Sequence, residues 1–102
     1  MTYFFNKKNL DGITSDTDGL TINTSRLKEK TVFTTVSGNT GAVTVKIQGS
    51  ANGTNWADID STVYTATNTT TEKNVNKCMP KMRTITASQS NSTVSTIITG
   101  QE

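Results

Sequence analysis

An all-β fold, an antiparallel β-sandwich of jelly-roll or Ig-like type with about seven to nine short strands, is what the sequence predicts. Val43, Val45 and Ile47 share one parity and Thr44, Lys46 and Gln48 the other, so a pleated strand buries the first set and wets the second. Turn-forming stretches such as Ser37-Gly38-Asn39-Thr40-Gly41 and Asn52-Gly53 punctuate the chain. Only 31% of the 102 residues are apolar, against roughly 45–50% (glycine included) in ordinary globular domains. Threonine fills the difference. Its β-branch suits a pleated, half-buried surface and its hydroxyl tolerates water, so the bias reads as sheet. Disorder would bring more proline and more charge than the single Pro and 18% charged residues present.

Residues 1–18 form an N-terminal segment, an anchoring arm or a first strand, which carries the aromatic trio Tyr3, Phe4 and Phe5. Residues 19–102 form the sandwich domain. Leu20 and Ile22 make a short alternating strand, and Val32, Thr34 and Val36 against Phe33 and Thr35 make another. Ser25 to Lys30 could form about one and a half helical turns, too few to hold alone, so a structured loop or a single turn is expected. After the Val43–Gln48 strand and its Asn-Gly turn, Trp56 and Asp58 alternate with Ala57 and Ile59. Val63 to Ala66 makes a further strand, Asn68 to Thr71 a loop, and Glu72 to Val75 a weak edge strand. Cys78-Met79-Pro80 crosses to the last two strands, Met82–Ser88 and Thr93–Thr99. The expected core is Val32, Val36, Val43, Val45, Ile47, Trp56, Ile59, Val63, Ile85, Val94 and Ile98.

The run Gly49-Ser50-Ala51-Asn52-Gly53-Thr54-Asn55-Trp56, followed by the acidic-aliphatic Ala57-Asp58-Ile59-Asp60, resembles a signature of small structural proteins of tailed bacteriophages. Lys81-Met82-Arg83 and the closing strand that ends in Thr99-Gly100 extend the likeness over about the last two-thirds of the chain. Pro80-Lys81-Met82 stands where such proteins commonly carry aromatics before the Arg. The resemblance implies a non-enzymatic virion protein, first of all a capsid decoration or cement protein on the outer capsid surface that bridges capsomers. Tail, neck or fibre subunits share the signature, and so do some carbohydrate-binding sandwiches, which leaves a glycan-binding adhesive module as the alternative. The partners implied are the major capsid protein or other virion proteins and further copies of the chain. Localisation to the virion, after synthesis in the bacterial host cytoplasm, follows from the same likeness.

The remaining residues argue against chemistry. No histidine is present, which removes His-based triads and the commonest metal ligand together. The lone Cys78 can form no intrachain disulfide and reads as a small buried hydrophobe. Asp58 and Asp60, two apart, would share one face of a strand, and a solvated edge explains them better than a glycosidase pair. Asp16-Thr17-Asp18-Gly19 has the centre of a calcium loop but places Ser25 where the bidentate Glu belongs. No catalytic, cofactor or metal residue is therefore assigned. A net charge of +2 with scattered basic residues does not predict nucleic-acid binding, and no apolar run reaches membrane-spanning length. Trp56 is expected in the core, and Tyr3 and Tyr64 at the surface. Tyr3, Phe4 and Phe5 are the expected partner contact.

Overall fold

Eight strands form among the described residues of the computed structural model, which are 4–65, 68–89 and 92–101. They are β1 (Phe4–Ile13), β2 (Ile22–Asn23), β3 (Glu29–Ser37), β4 (Val43–Ser50), β5 (Ala57–Tyr64), β6 (Thr69–Val75), β7 (Lys81–Ala87) and β8 (Thr93–Gln101). Two four-stranded antiparallel sheets result, in the orders β1-β8-β3-β6 and β2-β7-β4-β5. The pairs β1·β8, β2·β7, β3·β6 and β4·β5 are nested like a long hairpin rolled on itself, the arrangement of a jelly roll rather than an Ig fold. The Ser25–Lys30 stretch forms no helix; a turn there is closed by Leu27 N–H on the Thr24 carbonyl at 3.0 Å.

Alternation holds cleanly in β3, β7 and β8, whose inward residues are buried one in two. The inward rows explain how so few apolar residues suffice. Leu10, Val36, Val43, Val45, Tyr64 and Val94 pack at one end of the sandwich, and Ile22, Val32, Ile47, Val75, Met82 and Ile98 at the other. Between them runs a seam of buried polar side chains. Asn9 Oδ1 accepts from the Thr84 amide at 2.6 Å and its hydroxyl at 2.7 Å, Asn9 Nδ2 donates to the Leu20 carbonyl at 2.6 Å, and the Thr84 and Thr96 hydroxyls meet at 2.6 Å. Thr96 Oγ1 also accepts from Leu10 N–H at 3.1 Å. The seam ties both sheets together with its hydrogen bonds made, so threonine replaces aliphatics in mid-core without stranding polar atoms.

A β-bulge redirects β5. Ile47 pairs with Asp60 and Gln48 with Asp58, so Ile59 is the extra residue. Ile59 packs inward against the second cluster, and beyond it the parity reverses. Three expectations are corrected by this one shift. Val63 is 58% exposed instead of core, Tyr64 is buried at 6% instead of at the surface, and Asp58 and Asp60 do not share a face. Tyr64 instead bonds the Thr71 hydroxyl at 2.6 Å and Asp60 pairs with Lys73 at 3.5 Å, both reaching from β5 to β6 in the opposite sheet. The segment read as two strands is also one, and the expected loop at Thr69–Thr71 belongs to β6.

Two further core assignments fail. Ile85 is half-buried on the outward side of β7, because Met82, Thr84 and Thr86 take the inward positions. Trp56 is half-buried outside the sandwich. Lys30, by contrast, is fully buried. Its Nζ donates to the carbonyls of Leu27 at 3.1 Å and Lys77 at 2.8 Å, which fastens the β2–β3 connection to the β6–β7 connection. Burial pushes its pKa below the ordinary 10.5, with the nearby Cys78 thiol opposing the shift. Cys78 itself is exposed, not a buried hydrophobe.

Lys30 makes a testable pH signature. Between its lowered folded value and 10.5, the unfolded chain binds the extra proton, so stability must rise with pH across that window. Urea unfolding of wild type and Lys30→Met should show that rise in the wild-type-minus-variant difference, with a flat difference at neutral pH. A difference that falls through the window would refute the assignment.

Candidate functional site

The outward face of the β2-β7-β4-β5 sheet gathers the signature residues into one cluster. It begins with the loop after β4. Ser50 Oγ accepts the amides of Asn52 at 3.2 Å and Gly53 at 2.8 Å, and Asn52 Oδ1 accepts those of Thr54 at 2.9 Å and Asn55 at 3.0 Å. Overlapping side-chain turns of this kind are what Ser and Asn provide at a chain reversal. Gly53 sits at φ 79°, where other L residues are strained. Gly49 is needed for space, since a Cβ there would strike Met79 and Ile59. The loop therefore delivers Trp56 in one place.

Trp56 meets Arg83 of β7, whose guanidinium carbon lies 4.3 Å from the ring centroid. From Arg83 a chain of polar contacts crosses three strands. Arg83 Nε donates to Gln48 Oε1 at 2.9 Å, and Gln48 Nε2 donates to Asp58 Oδ1 at 2.8 Å. Asp58 Oδ2 pairs with Lys46 Nζ at 3.3 Å, and Asp18 approaches the guanidinium at 4.0 Å. The Gln48 hydrogen bond first, and Lys46 second, hold the Asp58 carboxyl below its ordinary pKa. An ionised Asp58 is an acceptor and not a proton donor at neutral pH, and it is held in place by Gln48 and Lys46.

This cluster was not assembled from the sequence. Trp56, Asp58 and Arg83 were each noted, but their meeting depends on the β4·β7 and β4·β5 registers, Gln48 with Arg83 and Gln48 with Asp58. A polar residue on β4 flanked in register by an Arg and an Asp is the signal that carried it. The expected partner contact lies elsewhere. Tyr3 is outside the described residues, Phe4 pairs with Gln101, and Phe5 pairs with Gly100 and packs half-buried against the second apolar cluster. The Asp16–Gly19 stretch runs along β7: Asp16 accepts the Gln89 amide at 2.8 Å and Thr17 exchanges bonds with Thr86 at 3.0 Å.

Removing Arg83 has an optical readout, because Trp56 is the single tryptophan. Arg83→Ala should shift its emission to the red and raise its quenching by acrylamide, at a stability cost of about 0.5–1 kcal/mol for a partly exposed cation–π pair. Unchanged emission and quenching would show that the stack does not hold the ring.

Fold and cluster together define an eight-stranded jelly roll with a polar-aromatic outer face. Among solved structures, the SPBc2 prophage-derived protein YomS shares the fold with a TM-score of 0.71 at 14% identity, covering 100% of this chain and 96% of that one. PirA is similar with a TM-score of 0.53 at 15% identity, covering 98% and 94%. At these identities the likeness is one of fold. No family model matches the sequence, and no curated protein matches it.

Proposed function

We propose that this protein is a non-enzymatic structural component of a bacteriophage virion, a capsid decoration or cement protein that binds the outer capsid surface and bridges capsomers. The observation that carries the reading is the end-to-end fold likeness to a prophage-derived protein, joined to the signature around Trp56. Jelly rolls serve in viral capsids and in lectins, so the architecture suits a repeated building block. Its thin core supports the same view, because a small domain gains stability by sharing area with neighbours. The major capsid protein, or another virion protein, is the partner. The test is to mix purified protein with undecorated capsids and sediment them. Co-sedimentation at a fixed ratio to capsomers is expected, and its absence would exclude the cement role.

One observation favours a second reading, a glycan-binding adhesive module. Trp56 is half-exposed on an outer face beside oriented Arg83 and Asp58, as sugar contact would need. Saccharide-dependent protection of Trp56 from quenching would support it, and an empty glycan array would remove it.

A further inference from the structure

The other broad face, the outward side of the β1-β8-β3-β6 sheet, carries a pattern that repeats itself under a two-fold rotation. One row across the four strands reads Lys8, Ile97, Phe33, Glu72, each in register with the next. The row two residues along reads Asn6, Thr99, Thr31, Asn74. Lys8, Phe33 and Glu72 are exposed, Ile97 is half-buried, and the intervening Val32, Thr34, Thr96 and Ile98 face the core. We infer that this face is an isologous docking surface for a second copy of the chain.

An axis parallel to the strands and midway between β8 and β3 exchanges β1 with β6 and β8 with β3. Strands lie about 4.8 Å apart, so Lys8 and Glu72 stand at equal distances of about 7 Å from that axis on opposite sides. A second copy laid face to face about this axis sets its Glu72 over Lys8 and its Lys8 over Glu72. Ile97 meets the second copy's Phe33, and the Asn-Thr-Thr-Asn row meets itself. A self-complementary patch is what a two-fold interface requires. A different protein would have no reason to match a row of cation, two apolar residues and anion read in reverse.

Size and energetics agree. The molecule measures 43 × 29 × 18 Å, so its broad face can bury the ~800 Å² per partner of a standard interface. Phe33 and Ile97 sit on the two central strands, flanked in their row by Lys8 and Glu72 and in the adjoining rows by Thr, Ser and Asn, with Glu29 and Gln101 paired farther along. Lys8 already touches Asp11 at 3.5 Å, but both are well exposed, so that pair gives little resistance to exchange. This surface leaves the Trp56 cluster on the opposite sheet free, and it stands independently of which particle the protein joins.

Sedimentation equilibrium of the full chain over a wide concentration series tests it, with far-UV circular dichroism as the check on folding. Wild type should be a dimer. Glu72→Lys should raise the dimer dissociation constant about tenfold or more by setting like charges together twice, and Lys8→Glu should do the same. The double variant Lys8→Glu/Glu72→Lys, which restores opposite charges in reversed order, should dimerise again near the wild-type constant. A wild type that stays monomeric throughout overturns the inference. So does a dimer indifferent to both single changes, or a folded double variant that fails to recover.

Discussion

Asn9→Ala is expected to be among the most damaging single substitutions in this protein, lowering stability by about 2–5 kcal/mol in urea or thermal unfolding. Asn9 is 8% exposed and its amide serves three partners: the Thr84 amide, the Thr84 hydroxyl and the Leu20 carbonyl. The hydroxyl keeps Thr96, but the buried Thr84 amide loses its bond at about 1–3 kcal/mol, and the loss of the part-buried bond to the Leu20 carbonyl and of the packed side chain adds to it. At about 4–8 °C per kcal/mol in a domain of this size, Tm should fall by at least about 8 °C. The same site can be reached from the other side. A methyl on Gly19 would collide with the Asn9 amide and with the Thr84 carbonyl at 2.7 Å, so Gly19→Ala should approach the loss seen for Asn9→Ala. A shift below about 3 °C for both would mean that the seam is wet and replaceable.

Ile98→Ala should cost about 2–5 kcal/mol, whereas Val63→Ala should stay within about 0.5 kcal/mol of wild type. Both residues looked like core aliphatics on an alternating strand. Ile98 is fully buried on β8, in register with Val32 and packed among Met82, Ile47 and Val75. Val63 is 58% exposed, turned outward by the bulge at Ile59. Paired denaturation curves decide the matter. Equal losses would place the β5 register one residue away from the pairing of Val43 with Tyr64, since a slip of one residue moves every side chain to the other face.

That contrast shows where the sequence was readable. Seven of the eleven expected core residues are buried: Val32, Val36, Val43, Val45, Ile47, Val94 and Ile98. They lie on β3, β4 and β8, which carry no extra residue themselves, the shifts in β1·β8 and β4·β5 falling on β1 and β5, so parity in the sequence equals parity in space. Val63 and Tyr64 were misplaced for the opposite reason. A bulge adds a residue without leaving a mark in composition, and parity downstream of it is inverted. Ile85 was misjudged because the inward positions of β7 include Thr84 and Thr86, and a threonine bonded inside a sandwich looks like one facing water. Lys30 went unremarked, since a buried ammonium depends on carbonyls supplied from residues 27 and 77, which no local pattern announces. The candidate site was half legible: Gly49, Gly53 and Trp56 marked the loop, while the link through Gln48 to Arg83 needed the strand order.

The partnership of β1 with β8 joins Phe4 to Gln101 in register, and β3 and β6 are reached only through β8. Each sheet is thus woven from separated stretches of the polypeptide, and neither layer is made of strands consecutive in the chain. Folding must bear the entropy of closing loops nearly as long as the chain before its most distant contacts can form, which puts its expected rate in the slow, millisecond-to-second class of all-β domains. Proteolytic nicking or deletion of a strand should therefore unravel the whole molecule at once, leaving no folded remnant.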